Sequence, residues 1–133
     1  MSITSKEITQ EAVAFICEWY RCIDQKEDFS VIDKQILGRE ITVDFPNNPM
    51  GYEGFQKWYE GQCSQYTGKH HIHTVSAWKR QDCIEIFAEI TWTAVDMEGK
   101  QTELYPNVTL KITPDSHKVF YYGCVDRPDS VKT

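Results

Sequence analysis

Three histidines close together are the most conspicuous side chains in this sequence that could carry out proton transfer. They lie in the run His70-His71-Ile72-His73. In a β-strand, period-two alternation places His71 and His73 on one side and His70 on the other. An imidazole titrates near neutral pH and therefore suits a general base. We take His71 and His73 as candidate catalytic residues, in a pocket that at least one of the three histidines would line.

The same two imidazoles could instead coordinate a metal ion. A metal site needs a third ligand, which Glu85 or Glu89 on the following strand would supply only in a particular register. Polar residues near a strand end are also commonly exposed to solvent, so metal binding is the weaker interpretation. No metal is predicted, and no cofactor is predicted either, because no motif typical of nucleotide, flavin or haem binding occurs.

Five cysteines offer a second reactive side-chain type. They form an odd, scattered set without a C-x-x-C pair, which fits neither a disulfide framework nor a zinc knuckle. We interpret them as buried free thiols, and they are Cys17, Cys22, Cys63, Cys83 and Cys124.

Three helices are predicted in the first half of the chain. Apolar residues recur at intervals of three and four over Glu7–Asp24, Phe29–Ile36 and Tyr52–Tyr66. Gly38 and Gly68 are expected to end the second and third of these helices.

Strands are predicted between and after the helices. In the longest of them the even-numbered residues from Ile84 to Ala94 are apolar and most odd-numbered ones polar, so one face is core. The predicted class is therefore α+β, a single domain over residues 1–133 with helices packed on a mainly antiparallel sheet. The predicted strands are Ile41–Phe45, His70–Lys79, Cys83–Val95, Thr102–Ile112 and Lys118–Val125.

Composition and charge exclude several classes of partner. The net charge of −6 and pI near 5.1 do not suit binding to nucleic-acid phosphates or anionic lipids, which needs clustered Lys and Arg. The residues from Met1 to Gln10 are polar, and no apolar stretch is long enough to span a bilayer. We expect a cytoplasmic protein that binds neither nucleic acid nor membrane.

The stretch from Ile41 to Pro46, followed by that from Gly51 to Tyr59, resembles a known pattern of strand, turn and Gly-x-x-Gly-Phe helix entry. This pattern is typical of the nuclear transport factor 2-like superfamily. Within that superfamily the chain most resembles the SnoaL-like proteins, which are related to ketosteroid isomerases and polyketide cyclases. The resemblance extends from about Glu7 to Asp126. It implies a cone-shaped fold, in which a bent sheet wraps around the first helix and leaves an apolar pocket for a small hydrophobic ligand. It also implies a homodimer.

The resemblance further suggests which residues line that pocket. Phe45 and Val108 stand where ketosteroid isomerases carry two acids, so steroid isomerisation is disfavoured. Asp44 is one residue from the first position and is a further candidate base, although a one-residue step along a strand points to the opposite face. Tyr20 falls near the tyrosine that binds the oxyanion in those enzymes. The predicted ligand-binding residues are Tyr20, Phe45, Trp58, Trp92, Val108 and Tyr122. Tyr20 could equally be a core or rim residue, and the tryptophans and Tyr122 are residues of a kind more often found in a core than in contact with a ligand.

Two functions of different classes remain open at this point. One is an isomerase, cyclase or dehydratase that uses a His or an Asp on an apolar substrate, a hypothesis that rests on fold analogy. The alternative is a module that binds a ligand or dimerises without catalysis, which the two missing acids favour. An ionisable side chain that reaches the cavity would favour the enzyme.

Overall fold

The computed structural model of the protein describes residues 5–126. It has three helices and seven strands, and the predicted domain of residues 1–133 extends past the described residues at both ends. The helices are α1 (Ser5–Asp24), α2 (Phe29–Gln35) and α3 (Tyr52–Gln65), and the strands are β1 (Leu37–Phe45), β2 (Asn48–Met50), β3 (Tyr66–Lys79), β4 (Ile84–Asp96), β5 (Gln101–Leu104), β6 (Pro106–Ile112) and β7 (Val119–Asp126).

The first helix carries one buried apolar stripe, as its periodicity predicts. Ile8, Ala12, Ile16 and Trp19 are spaced by three or four residues and are all buried. This stripe packs inside the curve of the sheet, with β3 as its main partner. The last turn of α1 is thereby fixed next to the inward-facing residues of β3.

All seven strands form one mixed sheet in the order β2-β1-β7-β6-β4-β3, with β5 paired to β4 at its end. The β1–β7 pair is parallel and the other pairs are antiparallel. The predicted α+β class with a mainly antiparallel sheet is therefore confirmed.

The sheet has an inner face that packs on the helices and an outer face on the opposite side. Along β4 the residues Ile84, Ile86, Ala88 and Ile90 are buried on the inner face. Glu89 alternates with them and faces outward, where it accepts a hydrogen bond from the Thr74 hydroxyl. Cross-strand partners share a face, so this parity assigns the faces of β3 and β6 as well.

The prediction that Gly38 and Gly68 end the second and third helices is wrong. Gly38 lies in β1 and Gly68 lies in β3, where the chain passes too close to other groups for a side chain. A Cβ atom at Gly38 would lie 2.9 Å from the carbonyl oxygen of Val119, and one at Gly68 would lie 2.7 Å from Nε1 of Trp92. Helix α3 ends one residue earlier than predicted, because Tyr66 already has extended φ and ψ.

Several further details differ from the prediction. Strands β1 and β3 each begin four residues earlier than predicted, and β2 was not predicted. The predicted strand Thr102–Ile112 is divided at Tyr105 into β5 and β6. The cysteines are free, as predicted, but only Cys22 and Cys83 are buried. Cys63 and Cys124 are partly buried, and Cys17 is exposed on α1. Among the described residues, no helix is both long and apolar enough to cross a membrane.

Candidate functional site

A cavity of about 210 Å³ lies between the inner face of the sheet and the helices α1 and α3. Most of its wall is apolar, and its polar side chains come from four elements. The apolar lining residues are Ile23, Phe45, Pro46, Trp58, Trp92, Leu104 and Pro106, and the polar ones are Tyr20, Gln62, His70, Tyr122, Cys124 and Asp126.

A carboxylate–imidazole pair stands at the polar side of this cavity. Asp24, the last residue of α1, holds His70 of β3 with both carboxylate oxygens. Its Oδ1 lies 2.6 Å from Nδ1 of His70, and its Oδ2 accepts the backbone N–H of His70 at 2.9 Å. A carboxylate can only accept a hydrogen bond, so Nδ1 carries the hydrogen of this contact, and in the neutral ring Nε2 is the nitrogen with the lone pair.

The pair is mostly shielded from water. The side chains of His70 and Asp24 are 12% and 18% exposed. The imidazole ring stacks on the phenol ring of Tyr20, with 4.1 Å between centroids. Packing and hydrogen bonding together fix both the position and the tautomer of His70, which is what a general base or acid needs.

Two tyrosine hydroxyls form the second polar group of the cavity. The hydroxyl oxygens of Tyr20 and Tyr122 lie 3.0 Å apart, and both side chains are buried. Burial is the main cause that raises the pKa of each well above its ordinary value. Both phenols are therefore neutral at physiological pH. One hydroxyl donates to the other, and Cys124 is a further hydrogen-bond partner of Tyr122. When Tyr122 donates to Tyr20, the hydrogen of the Tyr20 hydroxyl is left for a ligand oxygen.

Aromatic rings build much of the wall around these groups. Phe45 at the end of β1 lies 5.0 Å from Trp58 and 5.2 Å from Tyr122 between ring centroids, both in edge-to-face geometry. Trp92 of β4 is able to lie over the start of β3 because Gly68 has no side chain there. A flat apolar molecule would therefore meet rings on several sides.

Cys124 also lines the cavity, but as an unreactive thiol. Burial raises its pKa to about 12, so the thiolate that a nucleophilic cysteine needs is scarce at neutral pH.

The structure brings five of the six predicted ligand-binding residues to this cavity: Tyr20, Phe45, Trp58, Trp92 and Tyr122. The sixth, Val108, lies on the inner face of β6 and is fully buried in the core. Whether any of these residues binds a ligand stays a prediction.

The structure does not bring the predicted catalytic residues Asp44, His71 and His73 to the cavity. Asp44 lies on the outer face and accepts a hydrogen bond from the Tyr121 hydroxyl at 3.0 Å. His71 is exposed on the outer face, and Nε2 of His73 lies 2.7 Å from the hydroxyl oxygen of Thr91. The predicted alternation is correct, but it is His70 that faces inward.

Sequence reasoning missed Asp24, Gln62 and the inward side of His70. A signal for His70 was present, because Ile72 is apolar and two residues away, and hence on the same face. Asp24 pairs with a residue 46 positions away in the chain, and no local pattern predicts such a contact. Within residues 5–126, no group of three or more His, Cys, Asp or Glu side chains could hold a metal ion.

Solved structures with the same architecture identify the fold. A nuclear transport factor 2-like superfamily protein from Salmonella enterica superposes with a TM-score of 0.77 over 96% of both chains, at 12% sequence identity. The chain has a nuclear transport factor 2-like fold. This fold was expected from the resemblance in the stretches from Ile41 to Pro46 and from Gly51 to Tyr59, and the structural likeness confirms it.

Other proteins with this fold carry different names. A candidate scytalone dehydratase from Novosphingobium aromaticivorans has a TM-score of 0.79 at 11% identity, over 93% of this chain and 87% of that one. A candidate aromatic ring hydroxylase from the same organism has a TM-score of 0.77 at 12% identity, over 90% of each chain. No protein-family model and no curated protein matches the chain. At such identities the likeness concerns the fold alone.

Proposed function

We propose that this nuclear transport factor 2-like protein binds a small, oxygen-bearing hydrophobic molecule in the cavity and transforms it by general acid–base chemistry. The observation that carries the proposal is the 2.6 Å contact between Oδ1 of Asp24 and Nδ1 of His70 beside the cavity. It orients the ring so that Nε2 is available as a base. Once Nε2 has taken a proton, the adjacent carboxylate stabilises the imidazolium.

The tyrosine pair supplies the complementary group. When a base removes a proton next to a carbonyl, negative charge develops on the carbonyl oxygen and needs a hydrogen-bond donor. The hydroxyls of Tyr20 and Tyr122 can donate because burial keeps them protonated. His70 stacks directly on Tyr20, so the base and the donor stand at the same end of the cavity.

The size of the cavity limits the ligand to one or two rings. A dry cavity of about 150 Å³ is large enough for benzene, and this one measures about 210 Å³. The absence of acids at Phe45 and Val108 argues separately against steroid isomerisation.

Isomerisation, cyclisation and dehydration all fit this arrangement, because each begins with proton abstraction at carbon. In a dehydration, Nε2 of His70 would take the proton from carbon as the C=C bond forms and would pass this proton to the hydroxyl group on the neighbouring carbon, whose C–O bond breaks to release water. The name of the Novosphingobium protein makes dehydration worth testing. Membership of the narrower SnoaL-like family belongs to the same proposal.

Proton exchange on a simple ketone tests the proposal without knowledge of the natural substrate. In D₂O, wild-type protein is expected to bind 1-indanone and to speed the exchange of its α-protons for deuterium, followed by NMR. His70→Gln should lose the acceleration and keep the binding. His71→Gln is the matched control, since His71 lies on the outer face. Binding without accelerated exchange in the wild type would contradict the enzyme proposal.

The alternative is a binding module without catalysis, and one observation favours it. Asp24 also accepts the backbone N–H of His70 at 2.9 Å, so the pair ties the end of α1 to β3. A purely structural clamp predicts that His70→Gln lowers the melting temperature, and that wild type and variant exchange indanone protons at the same uncatalysed rate.

We further propose that the protein is a homodimer that pairs through the outer face of the sheet. The half-buried aromatic residues Phe87 and Tyr121 stand on that face, around a depression of about 240 Å³. A mass near twice 15.5 kDa in light scattering is the expected result, and Phe87→Lys should halve it. A monomeric wild type would contradict the proposal. A cytoplasmic location stays a prediction.

A further inference from the structure

Gln62 presents an unsatisfied buried oxygen at the border of the cavity. It lies one helical turn after Trp58 on α3, and both side chains line the cavity. Its Oε1 atom is buried, and no hydrogen-bond donor within residues 5–126 reaches it. A buried carbonyl oxygen without a donor is costly, so a native protein keeps one only when something else compensates for it.

The surroundings of Gln62 are apolar on the cavity side. Ile23, Trp58 and Trp92 share the cavity wall with it, and neither indole N–H bonds to Oε1. Bulk water is already excluded from this oxygen, so only a group that packs directly against the Gln62 side chain can supply the missing donor. A ligand hydroxyl or N–H would then be the partner that Oε1 lacks.

We propose that Gln62 determines specificity by accepting a hydrogen bond from a hydroxyl or N–H group of the ligand. The inference rests on the proposed function and adds the ligand class. The molecule has one or two flat rings, an oxygen acceptor for the pair Tyr20–Tyr122, and a donor on the side that faces α3. A site that offers an unpaired oxygen rejects analogues without the donor, because they leave that oxygen buried and unbonded.

Matched ligand pairs test this inference on the complete protein. The probes are 1-indanone, its hydroxy derivatives on the aromatic ring, and the corresponding methyl derivatives, with dissociation constants measured by calorimetry. For the ring position that reaches Gln62, wild type should bind the hydroxy compound about tenfold more tightly than the methyl compound. Gln62→Leu should abolish or reverse this ratio.

Gln65→Leu is the matched control, because Gln65 is exposed on the same helix. It should retain the wild-type preference for the hydroxy compound. A preference that survives in Gln62→Leu, or that is missing in wild type at every ring position, overturns the inference while indanone binding still supports the proposed function. If 1-indanone itself does not bind, the proposed function fails, and the role of Gln62 fails with it.

One structural explanation for the unsatisfied oxygen has a different signature. Gln62 also lines a smaller neighbouring cavity of about 40 Å³, together with Asp24 and Tyr59, which is enough space for an ordered water. If a water there served only the fold, Gln62→Leu would lower the melting temperature and leave the hydroxyl preference intact. That result would overturn the inference.

Discussion

Replacing Asp24 by asparagine is expected to move the hydrogen of His70 from Nδ1 to Nε2. The carboxylate accepts hydrogen bonds from Nδ1 at 2.6 Å and from the backbone N–H at 2.9 Å. An asparagine has one oxygen and one NH₂ group. Its oxygen can keep the backbone N–H, but the NH₂ group then faces Nδ1, which must become the acceptor. Nε2 would carry the hydrogen and could no longer take a proton from a ligand.

The size of the effect follows from the bonds exchanged. A hydrogen bond to a charged group contributes about 1.5–3 kcal/mol and a neutral one about 0.5–1.5 kcal/mol, so Asp24→Asn should cost about 1–2 kcal/mol of unfolding free energy. For a chain of 133 residues this corresponds to a fall of about 4–7 °C in melting temperature. Loss of a general base should slow the exchange of indanone α-protons about 10²-fold or more.

Long-range ¹H–¹⁵N correlation NMR reads the tautomer directly, at a pH where the imidazole is neutral. The chain has four histidines, and the spectrum of His70→Gln assigns the signals of His70. Wild type should show the Nδ1–H tautomer and Asp24→Asn the Nε2–H tautomer.

Asp33→Asn provides the control for loss of a negative charge. Asp33 accepts a hydrogen bond from the Tyr52 hydroxyl at 2.6 Å and lies away from His70. This variant should lose stability and leave both the tautomer and the exchange rate unchanged. The reasoning would be refuted if His70 kept the Nδ1–H tautomer in Asp24→Asn, or if the wild type already showed the Nε2–H form.

Three further predictions need no ligand. Tyr20→Phe and Tyr122→Phe should each lower the free energy of unfolding in urea by about 1–3 kcal/mol, because a single change leaves one buried hydroxyl unpaired. The double variant should lose less than the sum of the two, and strictly additive losses would contradict the pairing. Burial raises the pKa of Cys124 to about 12, whereas the thiol of the unfolded chain ionises with a pKa of about 8.5. Between these two pH values only the unfolded chain loses the proton, so the free energy of unfolding should fall by about 1.4 kcal/mol per pH unit. Guanidinium unfolding should show a shallower alkaline loss in Cys124→Ala, and an unchanged slope would be the contrary result. Gly68→Ala should destabilise the protein because its Cβ would lie 2.7 Å from the indole nitrogen of Trp92. Gly61→Ala meets nothing within 4 Å and should stabilise α3 by about 0.5–1 kcal/mol. Equal melting temperatures of the two variants would count against this reasoning.

The sequence predicts periodicity well and the facing of polar residues poorly. The alternation through His70, His71 and His73 is as predicted, but alternation alone does not say which of two faces is inside. The apolar Ile72 indicated the inner side, and the register opposite Ile90 and Trp92 decides it. For Asp44 the alternation along the strand predicted the correct face. Its apolar neighbours in β1 point inward, so Asp44 points outward.

Contacts between distant segments were beyond the reach of these patterns. Tyr20 and Tyr122 are separated by 102 positions and Asp24 and His70 by 46, and no motif spans either gap. Each pair arises because α1 packs inside the curve of the sheet. Their chemistry therefore follows from the fold and could be predicted only after the register of the strands was known.

The identity of residue 24 separates the enzyme interpretation from the structural clamp. Asp24 ends α1, where the partial negative charge of the helix C-terminus makes a carboxylate unfavourable by about 0.3–1 kcal/mol. A clamp can form without that charge, although it is weaker by about 1–2 kcal/mol, since a neutral asparagine offers one bond to the backbone N–H and one to the ring of His70. The carboxylate is required only if Nδ1 must carry the hydrogen, so that Nε2 can accept a proton. Residues that are locally unfavourable concentrate at functional sites, and Asp24 beside this cavity favours proton transfer over a purely structural role.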